Sequence, residues 1–294
     1  MNKYIILTDS CIDLPSRMAE EMELMVVPLS LIIDDVNYYN YLDEREITFK
    51  NFYQLLREGK TTQTSQVNPQ RFIEIMEPIL VSGYDILSIS FSSALSGTYN
   101  SSAIAKNDLL EKYPERKIIT IDSLCASMGQ GLLLTYAAKL KKEGHSLDDV
   151  AKWVEENKTN LCHLFTVGDL NHLRRGGRLS YAKAILGTIL KIKPLLHVNK
   201  EGKLVQTGAT RGRKSSLIKM VERMEKTIIN PKEQTIYISH GDCLDEIIEL
   251  KQIIMERLPV KDVIINYVGP VIGSHSGINT VAIFYLGTDR FVSY

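Results

Sequence analysis

The run Ser92-Ser93-Ala94-Leu95-Ser96-Gly97-Thr98-Tyr99 has the residue types and order to hold an anion. It follows a strand-like segment and opens a helix-like one. Gly97 lets the backbone turn closely, and the free N–H groups of a first helical turn face negative charge. Hydroxyls of Ser93, Ser96 and Thr98 add donors. No P-loop lysine follows, and neither Gly-x-x-x-x-Gly-Lys-Ser/Thr nor Gly-x-Gly-x-x-Gly occurs in the chain. The pattern suits an anion and argues against nucleotide hydrolysis. An ordinary capped strand-to-helix turn would carry the same residues.

Other groups are candidates by position. Thr61-Thr62-Gln63-Thr64-Ser65-Gln66 is a second hydroxyl cluster, read as a polar loop ahead of the helix start Asn68-Pro69. Strand ends supply Thr8-Asp9-Ser10 and Asp122-Ser123 to the rim of an open sheet, where ligands bind. Asp9 and Asp122 are read as caps of the following helices. His275 lies in Gly273-Ser274-His275-Ser276-Gly277, read as a glycine-rich loop after a strand and so nearer to a ligand than a helix-face histidine. With His at its centre, the segment is not the Gly-x-Ser-x-Gly elbow of a hydrolase. His240 reads as a structural strand-end residue. The other histidines share no ligand spacing, so no metal is expected. Arg174-Arg175-Gly176-Gly177-Arg178 and Thr210 to Lys214 are basic clusters that suit phosphate or an acidic partner, or simply a solvated face.

These groups need scaffolds, and composition permits two. The chain has 294 residues, 44% of them hydrophobic. Lys plus Arg and Asp plus Glu both number 35, so no basic face for nucleic acid is expected. Four separated cysteines form no Cys-x-x-Cys pair, and the apolar start Tyr4–Leu7 is too short for a secretion signal; a cytoplasmic protein is expected. No run approaches the roughly 20 apolar residues of a membrane span.

Strand and helix patterns alternate through the first half. Strands are expected over 4–8, 25–33, 85–90 and 117–121, and helices over 15–23, 48–58, 69–80, 98–113, 127–142 and 146–157. That order predicts an α/β fold whose N-terminal, mostly parallel sheet has helices on both faces. The second half has strands over 161–166, 235–239, 263–267 and 281–285, a hairpin at 193–207, and helices over 214–226 and 244–258. It reads as a second α/β domain with a mixed sheet and helices on one face. The expected units are 1–160 and 161–294.

In sequence order, Thr8-Asp9-Ser10 with Asp13-Leu14, Thr64-Ser65-Gln66, Leu95-Ser96-Gly97-Thr98-Tyr99 with Ser101-Ser102-Ala103, Leu173 to Arg178, Lys193 to Leu196 and Gly273-x-His275-x-Gly277 resemble the DegV family. The resemblance implies two α/β domains with a long-chain, palmitate-like fatty acid between them and its acyl chain in an apolar tunnel. It places the carboxylate on Thr64 and Ser96, with Ser65, Gly97 and His275 nearby, and implies no cofactor and no catalytic residue. Arg178 maps to the family's Gly-Gly-Arg and reads as a solvent-side contact for a partner or phosphate. Some members present the bound acid to a separate ATP-binding fatty acid kinase. The chain departs from the family at Val67-Asn68, where Pro-Ser is usual, and at Ile278-Asn279, where Pro-Gly is usual. Competing readings are an enzyme acting on a small phosphorylated or anionic metabolite, and a regulatory interaction module.

Overall fold

The computed structural model describes residues 3–179, 192–288 and 290; Met1 and Asn2, ahead of the short apolar start, lie outside them. The chain runs β1 (Tyr4–Asp9), α1 (Ser16–Glu21), β2 (Leu24–Val27), β3 (Ser30–Ile33), β4 (Val36–Tyr39), α2 (Phe49–Arg57), β5 (Thr62–Ser65) and α3 (Pro69–Val81). It continues with β6 (Asp85–Ser90), α4 (Thr98–Lys112), β7 (Ile118–Asp122), α5 (Met128–Lys142) and α6 (Leu147–Asn157). The second half holds β8 (Leu161–Thr166), α7 (Leu170–Arg175), β9 (Ile192–Val198), β10 (Leu204–Arg211), α8 (Arg213–Thr227), β11 (Thr235–His240), α9 (Leu244–Arg257), β12 (Asp262–Tyr267), α10 (Pro270–Ser276) and β13 (Val281–Leu286).

Three sheets result. The first is all parallel, in the order β2-β1-β6-β7. Its two central strands, β1 and β6, are almost fully buried, which requires helices on both faces. The second is mixed and six-stranded, β10-β9-β8-β13-β11-β12, with only β11 and β12 parallel. Period-2 alternation divides its faces. Leu164, Ile283 and Ile238 pack with Met220, Val221 and Ile247 of α8 and α9. The opposite face carries Phe165, Ala282 and Phe284, which join the core of the first half. Helices α8 and α9 thus cover one face, as expected, while α5 from the first half reaches across to β8, β11 and β13 on the other.

The third sheet, β4-β3-β5, was not foreseen. Residues 25–33 do not form one strand. Pro28 has no N–H to give to a ladder, so β2 ends at Val27 and β3 starts afresh at Ser30 in a different sheet. The hydroxyl cluster at 61–66 is a strand rather than a loop: β5 pairs antiparallel with β3, setting Thr64 opposite Leu31.

Local signals explain the helix starts near the site. Asn68 caps α3 through its side chain (Oδ1 to the Arg71 amide, 2.8 Å), with Pro69 in the first turn. The halves are also tied by Arg290, whose buried guanidinium donates to the carbonyls of Leu124, Leu161 and Asn199. Among the described residues, no helix is long and apolar enough to cross a membrane.

Candidate functional site

The two hydroxyl segments meet His275 and Arg178 at the wall of one cavity of about 390 Å³. That volume lies in the range of roughly 300–1,000 Å³ usual for small-molecule sites. Thr64, Ser65, Ser96, Gly97, Arg178 and His275 all line it. Ser65 is exposed, and Thr64, Ser96, Gly97, His275 and Arg178 are half-buried, so this polar group marks the mouth. Deeper, the wall is apolar: Phe91 and Leu95 from the first half face Phe165, Leu204 and Phe284 from the second.

His275 sits on a helix, contrary to the loop reading. Pro270 presets the first turn of α10, the Ser274 hydroxyl returns to the Pro270 carbonyl (2.8 Å), and Gly277, at φ 78°, ends the helix. Helix α2 holds this turn in place. The Tyr53 hydroxyl donates to the Val268 carbonyl at 2.7 Å, and Gly273 lies so close to Phe52 and Tyr53 that a Cβ would come within 2.7 Å of the ring. The last turn of α10 brings His275 Nε2 to 2.7 Å from Thr64 Oγ1.

The Gly-Gly-Arg segment completes the arrangement. A Cβ on Gly176 would approach His275 Nδ1 to 2.4 Å, so only glycine fits against the ring. Gly177, at φ 68°, turns the chain as its sequence implied. Arg178 is then laid against the loop before α4, with Nε donating to the Leu95 carbonyl (3.2 Å) and Nη1 to Gly176 (2.7 Å). The expected solvent-side position is corrected: Arg178 is half-buried in the cavity wall, because the Leu95 carbonyl draws its guanidinium inward. Among the described residues no carboxylate pairs with it. Burial, then the Arg178 charge, lowers the His275 pKa to about 4, so the imidazole is neutral near pH 7 and binds through hydrogen bonds rather than charge.

Ser96 and Thr98 share a hydroxyl bond of 2.9 Å. Gln66, at the end of β5, covers Gly97 and donates to Ser101 Oγ at 3.3 Å, tying the two hydroxyl segments together. The Thr64-Ser65-Gln66 motif alone gives Gln66 no role, and no sequence pattern marks Ser276. It lines the cavity at 5% exposure, and its hydroxyl has no partner among the described residues. Asp9 caps the short turn after β1, accepting from the Cys11 and Phe91 amides, whereas Asp122 does not cap the following helix as expected: Ser127 holds the N-cap position of α5, and Asp122 accepts from the Ser93 and Leu124 amides. His240 accepts from the Cys243 amide and its ring lies tilted against Tyr267, a structural role as expected.

Asp13 is fully enclosed, and burial raises its pKa to about 8 despite a bond from the Ser127 hydroxyl. In the unfolded chain it returns to about 3.9. A folded pKa above the unfolded one gives stability that is complete below pH 4 and falls as pH rises to about 8, by at most ~1.4 kcal/mol per unit. Asp9, raised by burial to about 6, acts in the same direction over the lower part of that range. Between pH 6 and 8 the wild type should therefore lose melting temperature, and Asp13→Asn should flatten that fall. Parallel melting curves for the two proteins across this window would contradict the assignment.

Fold and cavity define a class: an α/β protein with a cavity of small-molecule size that has a polar mouth and an apolar interior. Comparison with known proteins gives the family. The model described as "Uncharacterised protein, DegV family" matches residues 3–288. A DegV domain-containing protein of Clostridium perfringens is 50% identical over 290 residues, 99% of each chain. A DegV family protein from Thermus thermophilus, described for its fatty acid binding, superimposes with a TM-score of 0.87 at 31% identity, over 97% of this chain and 99% of that one. DegV of Bacillus subtilis, described as a fatty acid binding protein, gives 0.84 at 29% identity, over 97% and 99%. This chain belongs to the DegV family.

Proposed function

We propose that the protein is a non-catalytic carrier of a long-chain fatty acid. The observation that carries this reading is the cavity with hydroxyls and Arg178 at its mouth and an apolar wall behind them. In this reading Thr64 and Ser96 donate to the carboxylate, the Ser65 and Gly97 segments support it, and neutral His275 fixes the Thr64 hydroxyl. Arg178 supplies the positive charge that balances the head group, and it lies where a phosphoryl group added to the carboxylate would need a cation. Burying about 14 methylenes at ~0.8 kcal/mol each supplies roughly 11 kcal/mol of gross stabilisation, much of it offset by ordering. Affinity thus resides in the tail and orientation in the head.

The same reading takes residues 1–160 and 161–294 as two domains with the ligand between them. It makes the protein a cytoplasmic one that presents its acid to a separate ATP-binding kinase. The absence of any nucleotide-binding motif in the sequence supports that division of labour. Mass spectrometry of lipid extracted from purified protein should find a stoichiometric fatty acid. Incubation of the protein alone with ATP, magnesium and that acid should give no acyl phosphate. A co-purifying phosphorylated sugar, or turnover without an added kinase, would overturn the carrier reading in favour of an enzyme.

A further inference from the structure

One polar chain in the cavity wall takes no part in holding the head group. Along the cavity face of the six-stranded sheet, the register sets Leu196, Phe165, Ala282 and Ser239 side by side. Three apolar neighbours are followed by a hydroxyl. Ser239 is 0% exposed and lines the cavity. Its Oγ is 2.9 Å from Ser127 Oγ, and Ser127 Oγ is 2.5 Å from Asp13 Oδ2. Ser127 also lines the cavity, at 5% exposure. None of the three is hydrogen-bonded to Thr64, Ser96, His275 or Arg178 among the described residues.

Several features mark this chain as built for more than packing. Ser127 occupies the N-cap of α5 yet makes no capping bond; its hydroxyl turns away to Asp13 and Ser239. Its backbone is held at φ 53°, a region that costs a non-glycine residue about 1–3 kcal/mol. Asp13 is 1% exposed, and its Oδ1 lies against the Gly269 backbone at the start of α10. An apolar trio at these positions would fold at lower cost than buried polar groups.

Counting hydrogens shows what the chain offers. Two bonds link three groups. If Asp13 is ionised, the two serine hydrogens fill both links and only a lone pair of Ser239 faces the cavity. If Asp13 is neutral, one hydrogen remains, and the chain can donate or accept at its cavity end. Burial favours the neutral form near pH 7. A hydroxyl group both donates and accepts, and matches such an end in either orientation.

We infer that Ser239 and Ser127, backed by Asp13, form a second polar subsite that recognises a hydroxyl group on the acyl chain, so that the preferred cargo is a hydroxylated fatty acid. This rests on the carrier reading and narrows its substrate class. The test uses delipidated protein, octadecanoic acid and a set of its monohydroxy isomers, each titrated by competition against a fluorescent fatty acid. Hydroxyls placed against the apolar wall should weaken binding about tenfold relative to octadecanoic acid, because the group is buried without a partner. A narrow range of positions should instead bind about fivefold tighter than octadecanoic acid. Ser239→Ala, and separately Ser127→Ala, should erase that positional preference, read as a ratio of dissociation constants within each variant. Weaker binding of every isomer than of octadecanoic acid, or a preference that survives in both variants, would overturn the inference and leave the carrier reading standing. Failure of the wild type to bind octadecanoic acid and all its isomers would remove both.

Discussion

Thr64→Ala combined with Ser96→Ala should weaken fatty acid binding by about 100-fold or more. Each hydroxyl is expected to donate to a charged carboxylate, a bond of roughly 1.5–3 kcal/mol, and about 1.4 kcal/mol is a factor of ten. The two bonds share one ligand group, so the effects need not add. The double variant also removes the partner of His275 Nε2, which lies 2.7 Å from the Thr64 hydroxyl. Residual affinity should remain, because the apolar wall is untouched. Isothermal titration with a single acid measures the change, and a dissociation constant within threefold of wild type would sink the head-group assignment. The single variants should fall between wild type and the double variant, since each removes one donor and one neighbouring bond, to His275 or to Thr98.

Arg178→Ala should lower kinase-dependent acyl phosphate formation by at least about 100-fold at saturating fatty acid. Arginines that steady a transferring phosphoryl group contribute about 10³–10⁵ in rate, and a partly solvated position takes the lower end. From the sequence, Arg178 was expected at the solvent side, with almost no effect on lipid affinity. Its half-buried place in the cavity wall changes that expectation. Removing the guanidinium also frees the Leu95 and Gly176 carbonyls it ties together, so lipid affinity should fall as well, by up to about tenfold. Arg178→Lys should restore charge but not the two-carbonyl grip, and should recover only part of the rate. Rates at saturating lipid separate the two effects, and a phosphorylation rate within threefold of wild type there would reject a role beside the phosphoryl group.

Much of this architecture was legible before any coordinates. Strand and helix alternation gave the parallel sheet, and Asn68-Pro69 marked a helix start that the Asn68 cap bears out. The misses have physical causes. Residues 62–65 form a strand with no apolar residue, so hydrophobic alternation had nothing to register; the pairing partner β3 decides its conformation. Residues 270–276 hold glycine and serine, poor helix formers, and become helical because Pro270 starts the turn and Phe52 and Tyr53 pack on Gly273. Pro28 splits the second expected strand because it has no N–H to give to a ladder, a signal the hydrophobic run around it masks. The Asp13–Ser127–Ser239 chain joins residues more than 110 positions apart, a contact that no local pattern in one sequence encodes.

One hydroxyl of the mouth and part of the cavity floor are mounted on different scaffolds. Thr64 rides on the outer three-stranded sheet, whereas Phe165, Ala282 and Ser239 belong to the six-stranded one. On the carrier reading, heritable changes at these positions of the six-stranded sheet can therefore alter which tail is accepted without displacing the Thr64 hydroxyl. In evolutionary terms the grip and the choice of cargo are separable traits. Diversification within such a lineage is open along the floor of the cavity while selection holds its mouth fixed.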